Sequence, residues 1–244
     1  MIRSRVFDID CFVGDLGSAR DAVISRALTG EGGVACCANA HVLVMAQQNQ
    51  ELKLALRSSW MVFPDGSPVA WLQRRSGFAS AQRIAGPDLM PAVLDRGRTS
   101  GLRHFFFGST RPVVDAVAAR VLSLFPGVEI VGTAAPNKGD EDLAELLDQI
   151  LVSQPHVVWV ALGAPKQEVW AQRHQADFRS SLLLPVGAAF DFIAGTKPRA
   201  PEWMQRNGLE WLYRLGTEPR RLGWRYLSTN SVFLVRALRE LSYR

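Results

Sequence analysis

The chain has 244 residues, enough for one large domain or a domain with an appendage. Hydrophobic residues make up 48% and charged residues 21%, which excludes a disordered or fibrous chain and leaves material for a sizeable core. The formal charge of +5 lies wholly in the tail: from Arg199 onward nine arginines stand against four glutamates, so an anionic partner is expected there.

In chain order, residues 1–15 alternate charged and apolar side chains. They read as a strand with Asp8 and Asp10 on one face, without the continuous apolar stretch of a signal peptide. Apolar runs follow at Val34–Cys37, Trp60–Phe63, His104–Phe107, Val128–Val131, Val157–Leu162 and Leu182–Val186. Helical patterns lie between them at His41–Arg57, Pro68–Arg75, Asp88–Arg98, Pro112–Leu124, Glu141–Ser153 and Lys166–Gln175. This alternation predicts an α/β fold, a mostly parallel sheet with helices on both faces, whose ligands bind beyond the C-terminal strand ends. After Gly195 the strands stop, which predicts a core over residues 1–195 and a helical appendage over 196–244. Beyond Pro219 the chain reads as a basic amphipathic helix, with Trp224, Leu227, Leu234, Leu238 and Leu241 on one stripe and Arg221, Arg225 and Arg236 off it. Such a stripe packs on its own core, on a second subunit or on an anionic membrane surface. No apolar run reaches the roughly 18 residues that span a bilayer.

The strand–loop junctions hold the candidates for chemistry. Asp65, between Pro64 and Gly66, is either a general base fixed at the sheet edge or a helix cap. Gly163-Ala164-Pro165-Lys166-Gln167-Glu168 is either an ordinary strand–turn–helix junction or a ligand loop, with glycine for close approach and Gln167 for hydroxyl recognition. Arg199, Arg214, Arg220 and Arg221, interleaved with Trp203, Trp211 and Tyr213, suit a pyrophosphate and a stacked base, or form a solvated basic face. Cys11, Cys36 and Cys37 show no metal spacing, and the adjacent pair does not suit a disulfide. Asp8/Asp10 and Asp140/Asp142 read as structural acidic pairs before they read as metal ligands. No dinucleotide glycine fingerprint, P-loop or nucleophile elbow is present.

Together these stretches resemble the WecG/TagA/CpsF family of bacterial glycosyltransferases, glycosyltransferase family 26. The matching motifs are Ala38-Asn39-Ala40-His41, Pro64-Asp65-Gly66, residues 83–88 (Arg-Ile-Ala-Gly-Pro-Asp) and residues 163–168 (Gly-Ala-Pro-Lys-Gln-Glu). They continue with Gly187-Ala188-Ala189-Phe190-Asp191, Arg199-Ala200-Pro201, residues 209–215 (Leu-Glu-Trp-Leu-Tyr-Arg-Leu) and Glu218-Pro219-Arg220-Arg221. The resemblance implies a Rossmann-like core. It also implies inverting, metal-independent transfer of a hexose or N-acetylhexosamine-type sugar from a UDP-sugar to a polyprenyl-diphosphate-linked acceptor, in cell-surface or exopolysaccharide synthesis. By the same resemblance Asp65 is the base, Asn39, Arg83 and Gln167 contact sugar and acceptor, and Arg214, Arg221 and Arg225 close over the donor diphosphate. Many members carry Thr where this chain has Cys37, a poorer hydrogen-bonding group, so the acceptor contact there is altered. The resemblance implies no cofactor, no nucleic acid partner, and a cytoplasmic enzyme peripheral to the membrane, with a homo-oligomer left open. The rivals are another nucleotide-binding enzyme, such as a nucleotide-sugar epimerase or oxidoreductase, and a basic membrane- or RNA-binding module.

Overall fold

The computed structural model describes residues 1–137, 139–140 and 143–242, with the backbone alone at residues 206, 220–222 and 224–227. A hairpin of β1 (Arg3–Val6) and β2 (Ile9–Phe12) leads into α1 (Leu16–Thr29). Next come β3 (Gly33–Ala38), α2 (Ala40–Ala46), α3 (Gln50–Ser58), β4 (Met61–Pro64), α4 (Ser67–Arg75) and α5 (Gly86–Gly97). The second half holds β5 (Arg103–Gly108), α6 (Arg111–Leu124), β6 (Glu129–Ala134), α7 (Ala144–Ser153), β7 (Val157–Ala161), α8 (Lys166–His174), β8 (Leu182–Pro185) and α9 (Ala189–Ala194). Three helices end the chain: α10 (Glu202–Arg206), α11 (Glu210–Thr217) and α12 (Pro219–Ser242).

The six longer-range strands form one parallel sheet in the order β4-β3-β8-β7-β5-β6, a Rossmann-like α/β architecture. Both faces of β3, β4, β5, β7 and β8 are buried, as their apolar runs require, while the edge strand β6 is only partly covered. On β3, Val34, Cys36 and Ala38 join the layer that holds Leu43, Leu52, Leu56 and Trp170. Ala35 and Cys37 join the opposite layer, with Val23, Leu89, Val117 and Phe190. Cys36 and Cys37 therefore face opposite sides of the sheet, and all three cysteines are free thiols. Trp159 is fully buried, and its indole donates to His104 Nδ1 at 3.2 Å, which satisfies the ring nitrogen inside the core.

Several expectations needed correction. The N-terminal stretch is a hairpin, because Phe7 and Asp8 adopt left-handed backbone (φ 48° and 66°) and turn the chain. Asp8 therefore sits at the tip and pairs with Lys53 at 3.2 Å, while Asp10 lies on β2 beside Arg5, so the two do not share one strand face. The helix read over His41–Arg57 is broken at Gln47–Asn49, because Asn49 caps a second helix by accepting from Leu52 N at 3.0 Å. Of the other acidic pair, Asp142 lies outside the described residues.

The apolar stripe of α12 is also displaced. Thr229, Phe233 and Ala237 are buried and Leu241 packs on the core, while Leu234 and Leu238 are 51% and 52% exposed. The side chains of Trp224 and Leu227 lie outside the described residues. The register is set by the hairpin tip: Phe7 packs on Phe233 at 5.0 Å between ring centroids, and Phe7 N donates to Glu240 Oε2 at 3.1 Å. Burying one such phenylalanine contributes about 1.5–3 kcal/mol, enough to rotate a helix whose leucines face water at modest cost.

Close approach at the C-terminal strand ends depends on Gly108, which has φ +109° and where a Cβ would meet the Ala161 carbonyl at 2.7 Å. Gly108→Ala is expected to destabilise the fold by about 2–3 kcal/mol and lower Tm by roughly 4–12 °C in calorimetry. An unchanged Tm would contradict this packing of β5 on β7.

Candidate active site

The C-terminal ends of β3, β4, β7 and β8 open into a cavity of about 510 Å³. α11 and α12 contribute Glu210, Trp211, Arg214 and Asn230 to its lining. Cys37 and Asn39 line it from the end of β3, Asp65 from the end of β4, and Gly163 and Gln167 from the loop after β7. Asn39 caps α2 by accepting from Val42 N at 3.1 Å, which fixes the amide and leaves its nitrogen for a ligand.

Of the two readings of Asp65, the helix cap is excluded by geometry. The cap position of α4 is Gly66, at φ +95°, and no side chain caps that helix. Asp65 N donates to Ala38 O at 3.1 Å, which pins the backbone to β3, and its carboxylate lines the cavity. Burial pushes this carboxyl up from 3.8 to about 6; Glu210 and Asp88 push the same way, while Arg83 and Arg214 pull it down. A carboxylate poised near neutrality and facing a cavity suits proton abstraction from a hydroxyl.

Arg83 is committed on both sides. It pairs with Asp88 at 2.8 Å and with Glu210 at 2.7 Å. Arg199 completes the ring: its Nη2 pairs with Asp88, and its Nε lies 3.9 Å from Glu210 Oε1. Two arginines and two carboxylates thus tie the start of α5 to the start of α11. Arg199, for which a pyrophosphate grip and a solvated basic face were the two readings, is drawn into this network.

Arg214 stands differently. It lines the cavity, and its guanidinium carbon lies 5.5 Å from the centre of the Phe192 ring. Among the described residues no carboxylate pairs with it. A half-desolvated guanidinium held over an aromatic ring and left without an acid is a ready phosphate contact. The side chains of Arg221 and Arg225, expected beside the donor diphosphate, lie outside the described residues.

Gln167 and Glu168 begin α8, just after the cis Ala164–Pro165 bond. Gln167 Oε1 accepts from Gly163 N at 3.1 Å, and Gln167 Nε2 donates to Glu168 Oε1 at 2.8 Å. Burial raises the Glu168 carboxyl from 4.5 to about 7, against the lowering effect of the Gln167 hydrogen bond.

With this geometry in view, the model of the glycosyl transferase WecG/TagA/CpsF family matches residues 5–244. The chain belongs to the WecG/TagA/CpsF family and is a glycosyltransferase. It is 33% identical over 210 residues to an N-acetylglucosaminyldiphosphoundecaprenol N-acetyl-beta-D-mannosaminyltransferase of Bacillus spizizenii, covering 86% of this chain and 80% of that one. A Bacillus subtilis protein of the same name is 30% identical over 209 residues, with the same coverage.

Within this WecG/TagA/CpsF member the cavity brings together Cys37, Asn39, Asp65, Arg83, Gln167 and Arg214. Sequence reasoning missed Glu210, Phe192, Lys197 and Asn230. Lys197 lines the same cavity, held at 2.9 Å by Asp191. Glu210 lay in a quoted motif, but nothing in its spacing announced that it reaches Arg83 across 127 residues. Cys37 reaches the cavity with its thiol pushed well above 9.0, first by burial and then by Asp65, so it is a neutral, weakly polar group there.

Proposed function

We propose that the chain transfers a hexose or N-acetylhexosamine-type sugar from a UDP-sugar to a polyprenyl-diphosphate-linked acceptor, with inversion and without a metal ion. The observation that carries this reading is Asp65: a carboxylate that caps no helix, raised to about 6, in the same cavity as an Arg214 that forms no ion pair among the described residues. Asp65 takes the proton of the acceptor hydroxyl. The hydroxyl oxygen forms its bond to the anomeric carbon as the bond from that carbon to the β-phosphate oxygen breaks, and UDP leaves. Arg214, with Arg221 and Arg225 of the same tail, meets the charge growing on the diphosphate. Asn39, Arg83 and Gln167 hold sugar and acceptor.

The names of the Bacillus relatives describe an N-acetylmannosaminyl donor group and a diphosphoundecaprenol-linked N-acetylglucosamine acceptor, which supports this substrate class. We place the working boundary near residue 196, with the appendage serving both donor closure and attachment to the inner membrane face. Among the described residues no helix is long and apolar enough to cross a membrane. The exposed Leu234, Val235 and Leu238 on α12, with exposed Arg236 and Arg239 on the same helix, fit an interfacial role.

The test is UDP release from a panel of UDP-sugars in EDTA, with and without a short-chain polyprenyl-diphosphate N-acetylglucosamine. Acceptor-dependent release with one donor is expected. Release that appears only on adding a divalent cation would overturn the metal-independent reading.

A further inference from the structure

Beside Gln167, already placed on the substrate, the cavity wall holds a second buried polar side chain, Glu168, that the transfer reaction as described does not use. Glu168 is 0% exposed and Gln167 5% exposed, yet both line the cavity. Burying two polar side chains beside a ligand cavity is costly unless their hydrogen-bonding groups are used. Three of those groups are used inside the protein: Gly163 N holds Gln167 Oε1, and Gln167 Nε2 holds Glu168 Oε1. Gly187 makes room for this arrangement, since a Cβ there would lie 3.3 Å from Gln167 Oε1. The amide is therefore fixed at both ends. One oxygen remains: Glu168 Oε2 is buried and has no hydrogen-bond partner among the described residues.

We propose that Gln167 and Glu168 form a hydrogen-bonding subsite for one hydroxyl or N-acetyl group of a sugar, Glu168 orienting the Gln167 amide and offering its own second oxygen to that group. This rests on the glycosyltransfer reading and names a part of the same cavity that recognises sugar rather than phosphate. No cation pairs with Glu168 among the described residues, and the ionisable neighbours that perturb each other with it are the thiols of Cys36 and Cys37 on β3. Burial pushes this carboxyl up to about 7, so near neutrality its unpaired oxygen carries a proton part of the time and both donates and accepts. That pair matches a hydroxyl or an amide, each of which both donates and accepts, while the diphosphate has the charge of Arg214 instead. The same orphan oxygen gives the folded state a penalty that ligand binding removes.

Two substitutions separate the subsite from mere packing. Glu168→Gln keeps an oxygen to accept from Gln167 and a donor for the ligand. Glu168→Met keeps the volume and removes every hydrogen bond. Calorimetric titration is run on the full chain with UDP-glucose, UDP-N-acetylglucosamine, UDP-N-acetylmannosamine and the short-chain polyprenyl-diphosphate N-acetylglucosamine, alongside steady-state kcat and KM. Glu168→Met removes the unpaired buried oxygen but strands the Gln167 Nε2 donor, so the two effects oppose and Tm is expected to stay within roughly 2–6 °C of wild type. It is also expected to weaken binding of the sugar that carries the recognised group on the order of 10- to 100-fold. Glu168→Gln is expected to stay within about threefold of wild type. Equal affinities for all ligands in wild type and Glu168→Met would overturn the subsite, as would equal losses in both variants, which mark a packing role. Wild-type protein that binds the sugars without turning them over would overturn the transfer reading while leaving the subsite to be judged by the same titrations.

Discussion

Asp65→Asn is expected to bind UDP-sugar with unchanged affinity and to lose between about 10²- and 10⁴-fold in turnover, the span of general-base catalysis. The amide keeps the shape of the carboxylate, so the β4 end and the Asp65 N to Ala38 O bond remain. What is lost is the acceptor for the proton. The wild-type pH profile checks the same assignment. The carboxyl sits at about 6, raised from 3.8 by burial, so it is protonated and inactive as a base below that pH. Turnover is expected to rise about tenfold per pH unit up to about 6 and then level off. The stability consequence has the opposite sign. Asp65 and Glu168 both hold their protons more tightly folded than unfolded, so stability falls as pH rises from about 4 to about 7. Asp65→Asn is expected to flatten part of that decline. Unchanged turnover in the variant would remove Asp65 from the chemistry.

Arg214→Met is expected to reduce kcat roughly 10²- to 10³-fold, the cost of losing one preorganised charge that acts on a leaving group. Methionine retains an apolar stem against Phe192, so packing changes little and the effect reports charge. The guanidinium is set over that ring at 5.5 Å and is not spent on an acid among the described residues. Arg83, by contrast, is spent on Asp88 and Glu210, so neutralising Arg83 should disturb the appendage as well as the substrate. Product inhibition by UDP separates the two arginines. It should weaken in Arg214→Met in step with kcat. An Arg214→Met enzyme with wild-type kcat and wild-type UDP inhibition would assign the leaving group to other residues.

The sheet was legible because its six apolar runs are short and bounded by Gly and Pro, and all but the edge strand β6 are buried on both faces. The cavity was legible for the residues that directly follow those runs, Asn39, Asp65 and Gln167, since strand ends converge in this architecture. What escaped had physical reasons. α1 carries Ala19, Val23, Ile24 and Ala27 at helical spacing behind an Asp15 capping box, but its small residues mute the contrast between its faces. The hairpin hid behind a turn that opens on Phe7, a bulky residue that seldom adopts left-handed backbone. The true stripe of α12 runs through Thr229, Phe233 and Ala237, where leucine spacing pointed elsewhere. Tertiary contact with Phe7 outweighed the leucine pattern. Glu210 and Phe192 act only across the fold, on Arg83 and Arg214, and no local pattern marks them.

The most direct test is the mass and anomeric configuration of the lipid-linked product, made from the active UDP-sugar and the short-chain polyprenyl-diphosphate N-acetylglucosamine in EDTA. The account predicts an acceptor heavier by one sugar, with inverted configuration at the new bond, and one UDP per product. A free sugar with no lipid-linked product, or a product with retained configuration, would contradict it.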